Sequence, residues 1–149
     1  MNIIDGQLIA LLGAAIAFFV AGIGSSRGVG LAGQVGAGVL TEDPSKFGAV
    51  MLLEALPSTQ AIYGFVIAFL IIGNIDPAMS VTQGLHLLAA GLPIGIVGFI
   101  SAIYQGKVAA SGIQLIAKQP GSLGSAITLA LMVEMFAILA LIVSILMIG

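Results

Sequence analysis

The chain has 149 residues, of which 60% are hydrophobic and only 7% charged, with a mean hydropathy of +1.25. A soluble domain covers itself with about 25% charged residues. Four Lys/Arg and six Asp/Glu cannot do that here, so the solvent for most of this surface is lipid. The net charge of −2 leaves nothing basic enough for nucleic acid, and the absence of Cys excludes disulfides and thiolate metal sites.

A membrane-crossing helix needs about 20 apolar residues, and four of them with short loops use up the chain. The first apolar stretch runs from about residue 7 to 40. Asp5 precedes it, with no Lys or Arg. That makes a poor secretory leader, and the first helix is expected to be retained. Thr41-Glu42-Asp43-Pro44-Ser45-Lys46 forms a water-facing turn, and a second helix follows over about 47–73. Asn74-Ile75-Asp76-Pro77 ends it. A third helix is expected over about 82–117, closed by Lys118-Gln119-Pro120-Gly121-Ser122, and a fourth over about 123–149. The fold class is therefore an all-α membrane protein with two helical hairpins, residues 1–73 and 82–149, joined by a loop over 74–81.

Arg27, Lys46, Lys107 and Lys118 all lie in the 1–2 and 3–4 loops or in the helix halves beside them. The positive-inside rule places those loops in the cytoplasm, and the 74–81 loop and both termini outside.

The two hairpins are copies. A single shift of the sequence along itself lays Gly22 on Gly98, Gly30 on Gly106, Gly36 on Gly112, Pro44 on Pro120 and Gly48 on Gly124. One uninterrupted register, including both loop prolines, marks an internal repeat of parallel topology. Small residues recur every four positions as Gly24, Gly28, Ala32 and Gly36, and as Gly98, Ala102, Gly106 and Ala110. They allow close helix approach, either within one bundle or in an inner ring with helices 2 and 4 outside.

Ionisable groups at membrane depth are costly and point to function. Glu134 lies near the middle of the stretch between Gly121 and the last residue, Gly149. At about 1.5 Å of rise per residue it stands about 20 Å from either end. No basic residue of its helix can neutralise it, so it must hold a proton or a cation. Thr59, Gln60 and Gln105 reach the same level, and Tyr63 is one turn from the first two. Hard oxygens of this kind suit Na⁺, or a proton on the carboxyl with the amides as hydrogen-bond partners. The plainer alternative for Thr59, Gln60 and Gln105 is hydrogen bonding that glues helices together. Pro57 removes a backbone hydrogen bond and frees a carbonyl, and the Leu56 carbonyl is taken as the further oxygen. In the repeat, Ser58 stands in the place of Glu134, so one acid serves two hairpins. Arg27 and Lys107 lie nearer the helix ends and can snorkel. His86 is interfacial, and Glu54 is either interfacial or part of an access path.

Three segments carry a family resemblance: Leu56-Pro57-Ser58-Thr59-Gln60-Ala61-Ile62-Tyr63-Gly64, Gln105-Gly106-Lys107-Val108-Ala109-Ala110, and Met132-Val133-Glu134 before Ala137-Ile138-Leu139. Over essentially its whole length the chain resembles the K (proteolipid, c-type) subunits of bacterial V-type rotary ATPases, most of all those of the sodium branch. The resemblance implies a rotor ring of identical subunits in the lipid membrane. It also implies a stator subunit whose positive residue displaces the ion, and central-stalk subunits at the cytoplasmic loops. It implies Na⁺, or alternatively H⁺, held by Glu134 with Thr59, Gln60, Gln105 and the Leu56 carbonyl, and Tyr63 holding the site closed through a hydrogen bond. No organic cofactor is implied. ATP hydrolysis would lie on other subunits, and this chain has no P-loop. Two departures stand out: Met135 and Phe136 replace a Thr-Tyr pair of the family, and Glu54 replaces an uncharged residue. Competing readings are a small four-helix channel and a structural membrane scaffold.

Overall fold

The computed structural model describes residues 5–149. Helix α1 spans Gly6–Glu42, α2 Phe47–Ala55, α3 Thr59–Gly73, α4 Val81–Lys118 and α5 Leu123–Ile148. Together α2 and α3 make the second of four spans long and apolar enough to cross a membrane.

Local chemistry sets the helix ends. Asp5 caps α1 by accepting from the Leu8 N–H at 2.8 Å. Ser80 and Gln83 form a capping box at the start of α4. Pro44 and Pro120 each open a short 3₁₀ turn, Pro44–Lys46 and Pro120–Ser122, at one end of the molecule. There the Lys46 ammonium donates to the Ala117 carbonyl at 2.6 Å and pairs with Asp43 at 3.3 Å. The Ser45 hydroxyl and Lys46 beside Asp43 hold its carboxyl below the ordinary carboxylate value.

Helices α1 and α4 pack along their length, and glycine makes the approach possible. A side chain on Gly28 would run into the Ala102 carbonyl, and one on Gly106 into the Gly28 backbone. Gly13 with Gly91 and Gly6 with Gly84 repeat this nearer the opposite end. Those four, with Gly98, follow a seven-residue spacing, the period that keeps one face of two helices together as they coil. The second arm of the first hairpin, α2 and α3, lies on α1 and α4, and α5 lies on α4. Two apolar clusters fill the interior. One holds Ala14, Ile67, Ile71 and Ile94, and the other Ala32, Leu53, Ile113 and Ile116. The outer faces are apolar too, with Phe19, Phe69, Phe136 and Leu146 all more than half exposed. That pattern fits a lipid solvent.

The second span is not one regular helix. A 3₁₀ turn at Leu56–Ser58 divides it. The carbonyl that Pro57 deprives of a donor is the one four residues back, that of Leu53. Leu56 enters for a different reason: its carbonyl accepts from the Thr59 N–H through the tightened turn and from the Thr59 hydroxyl at 3.0 Å. Pro93, inside α4, leaves the helix unbroken, and the Ile94 N–H donates to the buried Ser144 hydroxyl at 3.3 Å.

Candidate ion-binding site

Glu134 lies midway along the fourth span, Pro120–Ile148, and only 5% of it is exposed. Its position on α5 turns it toward α3 and α4 rather than outward. The Tyr63 hydroxyl of α3 donates to Glu134 Oε1 at 2.6 Å, and Gln105 Nε2 of α4 donates to Oε2 at 3.2 Å. Gln105 Nε2 also reaches the Ala130 carbonyl at 3.3 Å.

Behind this pair stands Gln60, whose Nε2 donates to Gln105 Oε1 at 2.6 Å. The Thr59 hydroxyl lies 3.3 Å from Gln60 Oε1 as well as 3.0 Å from the Leu56 carbonyl. A continuous chain of side chains therefore runs from Leu56 and Thr59 through Gln60 and Gln105 to Glu134 and Tyr63. Gln60 and Gln105 are fully buried, and among the described residues no buried side-chain polar atom lacks a partner. That matters because a half-satisfied polar cluster in an apolar interior costs more than none.

Two members have no place in the sequence reading. The Ser101 hydroxyl accepts from Gln60 Nε2 at 3.3 Å and donates to the Val133 carbonyl at 3.0 Å, tying the cluster to the turn before Glu134. The Ser25 hydroxyl accepts from the Ala61 N–H at 3.0 Å, just past the irregular turn. These two serines are counterparts in the repeat register. That shared register is the one sequence signal that links them, since each is a small residue that also suits helix packing.

The other polar residues lie apart. Arg27 is 6.0 Å from the centre of the Phe99 ring, and Lys107 Nζ is 4.8 Å from that of Tyr104. Glu54 rests its carboxylate where a side chain on Gly33 would stand. His86 lines a hollow with Asn74 and Thr82 at the end opposite the proline turns. Met135 and Phe136 face outward and are half or more exposed, so this departure from the family pattern leaves the cluster untouched.

Chemically the cluster is one carboxylate among neutral oxygens. Among the described residues no three His, Cys, Asp or Glu gather as transition-metal ligands, and no basic group pairs with Glu134. One negative charge with amide, hydroxyl and carbonyl oxygens around it matches a single monovalent cation or a proton.

The chain is 49% identical to the V-type sodium ATPase subunit K of Enterococcus hirae, over 96% of this chain and 92% of that one. It is 38% identical to the A-type ATP synthase subunit K of Methanocaldococcus jannaschii over 97% of its length, spanning 63% of that protein. With the 16 kDa proteolipid of a V-type proton ATPase from Nephrops norvegicus the identity is 28%, over 91% of this chain and 86% of that one. The family model for the ATP synthase C subunit matches twice, at residues 12–71 and 88–147, in the register of the internal repeat. This multi-pass chain of two tandem hairpins therefore belongs to the ATP synthase C-subunit family.

Proposed function

We propose that this chain is the ion-carrying rotor subunit of a V-type ATPase. Copies stand side by side in a membrane ring, and each carries one Na⁺ on Glu134 as the ring turns. The observation that carries this reading is the placement of Glu134. It is a lone buried carboxylate at mid-span, with its two oxygens met by neutral groups from two other spans.

Na⁺ takes oxygens from Glu134, Gln105, Gln60, Thr59 and the Leu56 carbonyl. Gln105 keeps its NH₂ on Glu134, while Gln60 covers Gln105 Oε1 with its own NH₂, so loading turns the Gln60 amide over and frees both amide oxygens for the ion. The Tyr63 hydroxyl stays on Glu134 and holds the carboxylate in place. With the cation bound the site is neutral and crosses the apolar layer, whereas an empty carboxylate is too costly to expose to lipid. At the stator a positive side chain of a different polypeptide competes for Glu134 and releases the ion. Hydrolysis of ATP belongs to other subunits, and this chain transmits torque. The proline turns at one end, joined by Lys46, face the cytoplasm and meet the central stalk. Both termini lie outside. Sodium is favoured by the name of the Enterococcus relative. A proton is the second reading, favoured by the proton-pump name of the Nephrops relative.

Labelling with a hydrophobic carbodiimide, with and without NaCl across pH, tests this, because the reagent attacks protonated carboxyls in apolar surroundings. Reaction at Glu134 that NaCl specifically suppresses supports Na⁺. Suppression by raised pH alone makes the site a proton site. No reaction at Glu134 sinks the carrier reading.

A further inference from the structure

The two hairpins are copies, so each surface of one has a counterpart on the other, in the register that lays Gly30 on Gly106. The hollow of about 450 Å³ between α4 and α5 is lined by Val97, Ile100, Ser101, Tyr104, Val133 and Phe136. Their counterparts are Ala21, Gly24, Ser25, Gly28, Pro57 and Gln60, and every one of those is buried against the second hairpin or within its own. On the other flank, a hollow of about 430 Å³ between α1 and α2 includes Val29, Glu54 and Ser58. Their counterparts Gln105, Ala130 and Glu134 are all buried by the first hairpin. The chain thus uses one flank of each hairpin internally and leaves the matching flank of each one open.

We infer that a second copy of this chain covers the open flank of the first hairpin with its own second hairpin, in the register of the internal interface, seating Tyr104 of one copy over Gly30 of the next. This rests on the ring reading and gives it residues. Inside the chain, Gly28 and Gly106 meet backbone to backbone. Between copies the same contact pairs Tyr104, the counterpart of Gly28, with Gly30, the counterpart of Gly106. Tyr104 is 55% exposed, and nothing lies within 4 Å of where a Gly30 side chain would point. An exposed aromatic ring meets an open glycine seat. The contact is head to tail, so it repeats and closes into a ring when the rotation divides the circle.

Two consequences follow from the register. The counterparts of the Tyr63–Glu134 and Gln60–Gln105 contacts are Leu139 with Ser58 and Phe136 with Val29. The seam between copies therefore holds no acid at the level of Glu134, and each ion site lies inside one chain. Glu54, whose counterpart Ala130 is fully buried, becomes enclosed at the seam. Gly33 provides the room for its carboxylate, where the second hairpin has Ala109 with Ala130.

The chain has no native cysteine, so the double variant G30C/Y104C tests the register directly. Gly30 and Tyr104 each lie two positions, about 200° around a helix, from the glycines that bring α1 and α4 together, so the two cysteines point away from each other within one chain. A bond between them must therefore join two copies. Oxidation, or a short bis-maleimide, should move most of the protein into a ladder of dimers and higher multimers on a denaturing gel, with neither single variant doing so. Gly30→Val serves if the double variant does not accumulate: filling the seat should shift the purified protein from large particles to smaller ones. Electron microscopy of the same sample separates the failures. Rings without cross-links, or rings unaffected by Gly30→Val, overturn the register and leave the ring reading standing. Small particles for the unaltered chain overturn both.

Discussion

The carboxylate of Glu134 depends on groups that carry no charge. A hydrogen bond to a charged group contributes about 1.5–3 kcal/mol, so Tyr63→Phe should weaken ion retention by about tenfold to a hundredfold while leaving the chain folded. Measured Na⁺ binding to the purified protein checks this, and unchanged affinity would remove Tyr63 from the site. Glu134→Gln should abolish binding altogether. Ser101 acts one step back, through Gln60 and the Val133 carbonyl. All of these side chains except Ser101 stand out in the sequence, because a polar residue in an apolar helix is conspicuous. Ser101 does not, since serine also packs between membrane helices without a site. Glu54 remained open between two readings in the sequence, and its position over Gly33 depends on how α1 and α2 lie together.

Helices here owe their arrangement to glycine and proline. In an exposed helix interior, Gly→Ala is stabilising by about 1 kcal/mol. Gly22 has nothing within reach of an added side chain, so Gly22→Ala should raise or leave unchanged the thermal stability of the detergent-solubilised protein. At Gly28 and Gly106 an added methyl meets backbone that cannot move aside. Gly28→Ala and Gly106→Ala should each cost about 1–3 kcal/mol, the range for overpacking a tight interior, and be read as a lowered melting temperature. The four-residue spacing of small residues showed that a close approach exists. Only the packed structure shows that α1 and α4 are the pair that makes it, through Gly6 with Gly84, Gly13 with Gly91 and Gly28 with Gly106. Pro57→Ala should restore a regular helix, directing the Leu56 carbonyl to the Gln60 N–H. Na⁺ affinity should fall while helical content holds or rises, measured by circular dichroism beside the binding isotherm.

For the whole molecule, the proposed orientation rests on four basic residues. Cysteines placed at Gly121 and Ala78 in the cysteine-free chain should react with a membrane-impermeant maleimide from opposite sides, Gly121→Cys only in inside-out vesicles. The reverse pattern would invert the proposed topology. At the Lys46 end, Asp43 is held ionised by Ser45 and Lys46. Its small contribution to stability is therefore present above the ordinary carboxylate value and lost as pH falls below it.

Composition by itself decided that lipid is the solvent, since a chain this poor in charge has no surface for water. The repeat register decided that the molecule is two copies of a hairpin, because a duplication leaves its prolines and glycines in phase. Depth singled out Glu134 as the candidate acid, because the steady rise of a helix places it halfway along its span. The tertiary structure alone decided which donors touch which oxygen: Tyr63 on one side of the carboxylate, Gln105 on the other, Gln60 behind. Rotation of each helix about its axis sets those contacts, and that rotation is fixed by glycine seats on neighbouring helices rather than by any one helix's own sequence. It also decided that each hairpin keeps one flank open, because packing one copy against the other inside the chain uses only half of the surface the repeat creates.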